Sequence, residues 1–395
     1  MNPLADCGLP RFFALAGQSA ARLDVPEPRG GETVRFVGRS LAGMQKEGLV
    51  RTSGGGAWRL ASDEGAYLDG LDEAPCPLAF MTTGMVACFM GSIQARLSAA
   101  GVVHRGVRLV QDNFYTMEGS MPRRTMIGGA KPVEIEVEIA ADVDADTLRP
   151  MVIEAVEAAA VSGLIRPILT NTFTLSVNGR ELRPQTVSPF GPGPLPDPKP
   201  LFEDLSPAGA LREPLVTRAG LTPLTEEATS HSGSSYAPEQ SRTLHLRGIC
   251  TVRPNGVTLV EQQLYNPHGS IFRLLSHESA AGRDGLAPDP LAYVSAGIGF
   301  CFMTQFGRFA RIMGKRLDGY RIVQDTRFTS GHADAVETHV YLDTPEDDAF
   351  AREVLDLGER TCFLHALCRT PLETHVRVST RSDLAGEWLG PAAND

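Results

Sequence analysis

Apolar and polar residues follow one another along the chain in a way that predicts a definite series of elements. Between residues 32 and 60, short runs of alternating apolar and polar residues are interrupted by glycine, which is typical of β-hairpins. The long apolar segment 78–100 predicts a core helix. Residues 132–140 alternate Val or Ile with Glu and predict a strand with one solvent-facing side. An amphipathic helix and a closing strand complete the series before residue 184.

A second series of elements repeats the first in order and partly in sequence. The segment PLAFMTTGMVACFMG around Cys88 is matched 213 residues later by PLAYVSAGIGFCFMT around Cys301. At the same offset, RLVQD ending at Asp112 is matched by RIVQD ending at Asp325. This period is far longer than the unit of a solenoid, roughly 20–50 residues, and indicates duplicated domains.

Each series consists of strands, a long helix, strands, a helix and a strand, which predicts an α+β unit with a mostly antiparallel sheet. The segment between the two series holds 11 of the 28 prolines and predicts a semi-rigid linker. The resulting division is an irregular N-terminal segment (1–31), a first repeat (32–183), the linker (184–240), a second repeat (241–382) and a C-terminal tail (383–395).

Composition excludes some functions and narrows the setting. A chain of 395 residues can bury the cores of two domains. The net charge of −10, without a Lys/Arg cluster, argues against nonspecific binding of nucleic acid or of an anionic membrane. No secretory signal is expected, and seven cysteines at no framework spacing predict free thiols in a reducing cytoplasm.

The cysteines of the second repeat suggest redox chemistry. Cys301 is predicted near the middle of one helix and Cys362 within another, and thiols on packed helices can come within disulfide reach. One thiolate could then attack an O–O bond and the other could resolve the sulfenic acid as a disulfide. Rapid attack needs a cation that lowers the thiol pKa, and the sequence offers Arg253, Arg273 and Arg308 without ranking them.

The helix with a central cysteine, followed some sixty residues later by GERTCFLHALCR, resembles the OsmC/Ohr family of cysteine-based hydroperoxide reductases. The resemblance covers residues 32–183 and 241–382, and implies two OsmC-like domains in one chain. Such domains would form an intertwined pseudo-dimer with antiparallel sheets and central cysteine-bearing helices.

The resemblance also assigns residues. Cys301 matches the peroxidatic cysteine, Cys362 the resolving one, and Cys88 the peroxidatic position of the first repeat, where Gly163 stands opposite Cys362. The glutamate that the family carries ten residues before its reactive cysteine is leucine in both repeats, at Leu78 and Leu291. Arg253 is the nearest match to the family's activating arginine, and we expect it at the substrate site.

Two other functions stay open on the sequence. Loss of both glutamates, together with an apolar wall predicted to bind substrate, favours a cysteine-dependent hydrolase or lyase acting on an apolar carbonyl compound, with His365 as a base for the nucleophile. A non-catalytic binder of a hydrophobic small molecule is the third possibility. The residues of this predicted wall are Phe89, Met90, Phe302 and Met303.

No cofactor or metal is expected, because the Cys362-x-x-His365 spacing lacks the paired knuckles of zinc motifs. The expected partners are a hydrophobic small-molecule substrate and a protein that supplies an external dithiol. Neither nucleic acid nor a membrane is expected as a partner. The apolar segment 78–100 contains Gln94 and Arg96 and is expected to be buried inside the protein.

Overall fold

The computed structural model describes residues 2–209, 211–224, 234–278, 286–382 and 384. Within these residues the helices are α1 (Pro3–Asp6), α2 (Gly17–Ala21), α3 (Pro77–Ala99), α4 (Ala145–Ala158), α5 (Ser162–Ile165), α6 (Pro290–Ile312), α7 (Asp348–Thr361) and α8 (Phe363–Arg369), with single 3₁₀ turns at Ala66–Leu68 and Lys199–Phe202. The strands are β1 (Phe13–Ala14), β2 (Glu32–Ser40), β3 (Lys46–Thr52), β4 (Ala57–Ser62), β5 (His104–Ser120), β6 (Ile127–Ala130), β7 (Val133–Ala141), β8 (Thr172–Val177), β9 (Arg180–Leu182), β10 (Ser188–Pro189), β11 (Val216–Leu221), β12 (Glu239–Val252), β13 (Thr258–Asn266), β14 (Ser270–Ser276), β15 (Gly319–Thr329), β16 (His332–Ala333), β17 (Glu337–Asp343) and β18 (Thr374–Arg381).

The described strands form two sheets, and each sheet takes strands from both halves of the chain. The first has the order β1-β4-β3-β2-β15-β17-β8-β10, with β16 and β9 paired beside it. The second has the order β11-β14-β13-β12-β5-β7-β18, with β6 on β5. In each sheet, a three-stranded unit of one half is followed by two strands of the other half and then by a returning strand. Most pairs are antiparallel, so the expected α+β class with antiparallel-rich sheets is confirmed.

Two long strand pairs join the halves. Strand β12 runs antiparallel to β5 from Glu239 opposite Ser120 to Thr251 opposite Arg108, and β2 pairs in the same sense with β15. Each seam carries a bidentate ion pair. Arg247 holds Asp112 with two bonds of 2.9 Å, and Arg35 holds Asp325 at 2.8 and 2.6 Å. The repeated aspartates therefore lie within strands and bind arginines of the other half.

The two long helices, α3 and α6, pack directly on each other because glycines stand at the contact. A Cβ atom on Gly84 would lie 2.7 Å from the backbone nitrogen of Val294, and one on Gly297 would lie 2.7 Å from that of Met81. Larger residues would therefore push the helices apart. Helix α6 begins at Pro290 behind Asp289, whose carboxylate accepts the Leu291 N–H at 2.8 Å. Both helices form the centre of the main core.

Several segments differ in detail from the sequence expectations. The N-terminal segment contains α1, β1 and α2, and the proline-rich segment contributes β10 and β11 to the sheet edges. Residues 210 and 225–233 of that segment, and the predicted tail apart from Leu384, lie outside the described residues. By length and composition Pro77–Ala99 could cross a membrane, but 72% of its most apolar window is buried inside the protein.

Candidate functional site

Cys301 and Cys362 lie close enough for each thiol to shift the pKa of the other. Cys301 is near the middle of α6, as expected. Cys362 is not inside a helix, as the sequence pattern predicts, but at the junction of α7 and α8, with an extended backbone at φ −70° and ψ 119°. Gly358 lets α7 approach α6 closely, since a Cβ there would lie 2.6 Å from the Phe306 ring of α6. The two thiols are buried, with 2% and 0% of their surfaces exposed.

The environment distinguishes the two thiols. Burial is the largest influence on each and disfavours a thiolate. At Cys301, burial and the hydrogen bond to Cys362 raise the thiol pKa well above its ordinary value. At Cys362, burial is outweighed by the hydrogen bond with Cys301 and by His365, so its pKa falls well below the ordinary value. The backbone N–H of His365 donates to the Cys362 sulfur at 3.5 Å, and this contact favours the thiolate.

The His365 side chain is sealed in the core beside these thiols. It is completely buried and its ring lies 4.6 Å from that of Phe302 and 5.5 Å from that of Phe173, measured between centroids. Neither ring nitrogen has an aligned hydrogen-bond partner among the described residues. The structure therefore brings Cys301, Cys362 and His365 into one cluster.

The first half of the chain supplies charged groups to this cluster. Lys46 on β3 is completely buried and donates its Nζ to the carbonyl oxygen of Met44 at 2.5 Å. Glu64, just after β4, accepts from the Thr304 hydroxyl at 2.9 Å and from the Tyr67 hydroxyl at 2.8 Å. The Thr304 contact links Glu64 directly to the helix that carries Cys301.

Burial governs the electrostatics of these two groups. It lowers the Lys46 pKa, against the favourable charges of Glu64, Asp63 and the Cys301 thiolate. It raises the Glu64 pKa, against Lys46 and the two hydroxyl donors. Sequence reasoning missed both residues because they lie in the other half of the chain. A signal existed for Glu64, since WRLASDEG resembles FRLLSHES of the second half.

A small cavity of about 30 Å³ opens beside Cys301. It is lined by Glu64, Tyr67, Leu68, Cys76, Pro77, Leu78, Met117, Ser235, Arg242, Leu244, Leu264, Pro267, Cys301, Thr304, Gln305, Arg308 and Phe363. Cys362 does not line it and lies behind Cys301. A third thiol, Cys76, shares the cavity, and burial raises its pKa to about 12. This volume holds about one water molecule.

The predicted substrate wall does not lie at this cavity. On α6 the cavity face consists of Cys301, Thr304, Gln305 and Arg308, which are spaced as neighbours on one helix face. Successive residues on a helix point in different directions, and the predicted wall residues lie in the core with none of their surface exposed. These residues are Phe89, Met90, Phe302 and Met303.

The three candidate arginines are separated by the fold. Arg253 follows β12 at the hairpin turn and pairs with Glu213 at 2.6 Å, and Arg273 pairs with Glu261 at 3.0 Å. Neither lines the cavity, so the expectation that Arg253 contacts substrate there does not agree with its position. Arg308 does line it.

Cys88 occupies the matching place on α3 with different surroundings. Burial of its thiol raises the pKa to about 12, and the negative charges of Glu278 and Asp289 add to this, although the residue as a whole is partly exposed. Gly163 stands opposite, and a Cβ there would lie 2.1 Å from the His332 carbonyl carbon. Strand β16 thus fills the space that a cysteine side chain would need.

Similarity to known proteins covers part of the chain. No curated protein matches it. One similar solved structure is an OsmC-like hydroperoxide resistance protein from Jannaschia sp. CCS1, which is 24% identical, with a TM-score of 0.20 and coverage of 33% of this chain and 81% of that one. Residues 282–377, about a quarter of the chain, match the family model described as OsmC-like protein.

Proposed function

We propose that this protein is a thiol-dependent hydroperoxide reductase whose working site is Cys301 with Cys362. The observation that carries the proposal is the direct interaction of these two buried thiols, one of which, Cys301, lines a cavity. The OsmC-like match of residues 282–377 includes both cysteines and supports the assignment.

The proposal includes two OsmC-like units in tandem that together form an internal pseudo-dimer. Three observations support this arrangement: both sheets mix strands of the two halves, Gly84 and Gly297 meet at the helix contact, and they are separated by the same 213 residues as Cys88 and Cys301.

The proposed reaction begins at the thiol that faces the cavity. The Cys301 thiolate attacks the terminal oxygen of a hydroperoxide, so that an S–O bond forms as the O–O bond breaks. The leaving alkoxide takes a proton and departs as the alcohol, and Cys301 becomes a sulfenic acid. The Cys362 sulfur then displaces the sulfenic oxygen, which leaves as water, and a Cys301–Cys362 disulfide forms. An external protein dithiol reduces this disulfide and is itself oxidised to a disulfide.

The residues around the two cysteines can each be assigned a role in this reaction. The Cys301 and Cys362 thiols interact directly, so a proton can pass from Cys301 to Cys362 as Cys301 becomes the attacking thiolate. Lys46 lies within electrostatic range of Cys301 and favours its negative charge. Glu64 fixes the position of α6 through Thr304 and is therefore a positioning residue.

The test is mass spectrometry of the reduced protein after one equivalent of cumene hydroperoxide, with hydrogen peroxide in parallel. We expect rapid formation of a Cys301–Cys362 disulfide. Cys7→Ser is the control, since Cys7 is exposed and lies outside this cluster. Slow oxidation spread over several cysteines, in a protein that stays folded, would rule the reductase out.

A second candidate is a cysteine-dependent hydrolase or lyase for an apolar carbonyl compound. The contact of His365 with Cys362 favours it, because a Cys–His pair produces a thiolate at neutral pH. Trapping of a covalent acyl adduct on either thiol would support it, and turnover that is unchanged both in Cys301→Ser and in Cys362→Ser would exclude it. For either activity we propose a cytoplasmic setting, since free thiols need a reducing compartment.

A further inference from the structure

Two arginines, the buried Arg308 and the partly buried Arg242, lie together at the cavity beside Cys301. Arg308 has 1% of its surface exposed. Its Nε donates to the carbonyl oxygen of Ser235 at 2.7 Å and its Nη1 to the Gln305 amide oxygen at 3.3 Å, and its Nη2 faces the Met126 sulfur at 3.3 Å. All of these acceptors are uncharged, so the guanidinium charge is not neutralised by its partners.

The second arginine, Arg242, is in a similar position. It donates to the Ser235 hydroxyl, and its buried Nε has no partner among the described residues. Within the described parts of the chain, neither Arg242 nor Arg308 forms an ion pair with an acid. Glu64 acts on Arg242 only from a distance and already accepts two hydroxyl hydrogen bonds. By contrast, Arg311, one turn along α6, is exposed and pairs with Asp69.

Both guanidinium groups are nevertheless charged at neutral pH. Burial lowers the pKa of Arg308 to about 9, and the charge of Arg242 contributes to that shift. Burial lowers the pKa of Arg242 to about 10. Two like charges in one desolvated space are unfavourable, and an anion between them would relieve both the repulsion and the missing hydrogen bond.

We propose that Arg242 and Arg308 bind the carboxylate of an apolar ligand of medium chain length, with the chain directed towards Cys301. Guanidinium groups match carboxylate geometry, and leucines and Phe363 line the same cavity as the arginines and the thiol and give it apolar surface. Arg308 follows Cys301 by seven residues on α6, which is two helical turns, so both residues lie on one face of the helix about 10 Å apart along its axis.

This inference names the substrate class of the proposed reductase and rests on that function only for the reacting end of the ligand. The resting cavity holds about one water, so the ligand chain must separate the apolar side chains as it binds. Binding of the carboxylate itself needs no thiol chemistry, and it can be measured when Cys301 is replaced by serine.

The experiment is calorimetric titration of the full chain, in the Cys301→Ser background, with hexanoate, hexanamide and acetate. We expect hexanoate to bind on the order of tenfold more tightly than hexanamide, as a charged hydrogen bond predicts. Arg308→Gln and Arg242→Gln should remove this preference, and the matched control Arg311→Gln should keep it. Arg242 is only partly buried, so its variant serves if Arg308→Gln does not fold.

Equal binding of hexanoate and hexanamide would overturn the proposal, as would acetate binding as tightly as hexanoate, since the site would then lack the apolar component. A preference for hexanoate that survives in both arginine variants would overturn it as well. Failure of the protein to reduce cumene hydroperoxide, with arginine-dependent hexanoate binding intact, would remove the reductase and leave the carboxylate site supported.

Discussion

The regions around Cys301 and Cys88 occupy matching places in the two halves of the chain, but only the region of Cys301 has the groups that the proposed thiol chemistry needs. Cys301 contacts a second thiol and lies within range of Lys46. Cys88 faces backbone near Gly163 and the negative charges of Glu278 and Asp289. For a cysteine at the same place on the same kind of helix, the proposed reactivity therefore depends on the surroundings and not on the helix.

Substitution at matching positions explains the difference. In the first half, Lys46 lies opposite Ser62 in the hairpin of β3 and β4. The matching pair of the second half is Thr258 opposite Ser276 in the hairpin of β13 and β14, so the neutral Thr258 occupies the position of the Lys46 cation. At the offset of 213 residues, Ala95 takes the place of Arg308. The acid is kept at Glu278, and Gly91 leaves it room, since a Cβ there would lie 2.7 Å from the Glu278 carboxylate.

The largest effect is expected when the thiols themselves are removed. We expect Cys301→Ser to reduce peroxide turnover on the order of a thousandfold or more, because the nucleophile is lost. Cys362→Ser should consume about one equivalent and then stop as a sulfenic acid, since resolution needs the second sulfur. Steady-state peroxide consumption and intact-protein mass measure these outcomes. Cys88→Ser should retain most of the activity, and an equal loss in that variant would contradict the distinction between the regions.

The second prediction concerns a variant that introduces a thiol at Gly163, the position opposite Cys88. Gly163→Cys should not create a second working pair, because the new side chain would collide with the backbone of β16. We expect a loss of unfolding free energy of roughly 1–3 kcal/mol, as in other overpacked cores. Urea denaturation measures it, with Gly191→Cys as the control, since a Cβ at Gly191 meets nothing within 4 Å. A stable variant in which the introduced thiol forms a disulfide with Cys88 would contradict the structure here.

The third prediction concerns the cation of the working region. Lys46→Met should slow peroxide attack about tenfold and move the activity profile to higher pH, because the Cys301 thiolate loses a favourable charge. Single-turnover kinetics over a range of pH measures this effect. The exposed Lys315, which pairs with Glu346, provides the control variant Lys315→Met. An unshifted profile in Lys46→Met would show that this lysine does not act on the thiol.

The smallest effect is expected for Glu64, whose ionisation changes the stability of the folded protein with pH. Burial raises its folded pKa above 4.5, so its contribution to stability is fully present below that pH and is lost as the pH rises through the folded pKa. Glu64→Gln should remove this loss, because glutamine does not ionise. Relative to the parent, its unfolding free energy should therefore increase by about 1.4 kcal/mol per pH unit as the pH rises from 4.5 to the folded pKa. Unfolding free energies at several pH values measure it. A constant difference between the two proteins would contradict the raised pKa.

Much of the fold could be predicted because it depends on local pattern. Strands β2, β3, β7 and β17 and helices α3 and α6 agree with the runs of alternating and apolar residues, since period is a property of consecutive positions. The break at Cys362 could not be predicted in the same way, because an extended residue between two helices leaves the apolar pattern almost unchanged.

What the sequence alone determined is the α+β class with its antiparallel-rich sheets, and it also made Cys301 and Cys362 the first candidates for the site. Only the tertiary structure decided which groups surround them. Lys46 and Glu64 reach the cavity region from the other half of the chain, and Arg242 reaches it from β12 of the same half. Phe302 and Met303 turn into the core, away from the substrate side. The physical reason is range: periodicity and turns act between neighbours in sequence, whereas a thiol pKa depends on every charge within several ångströms in space.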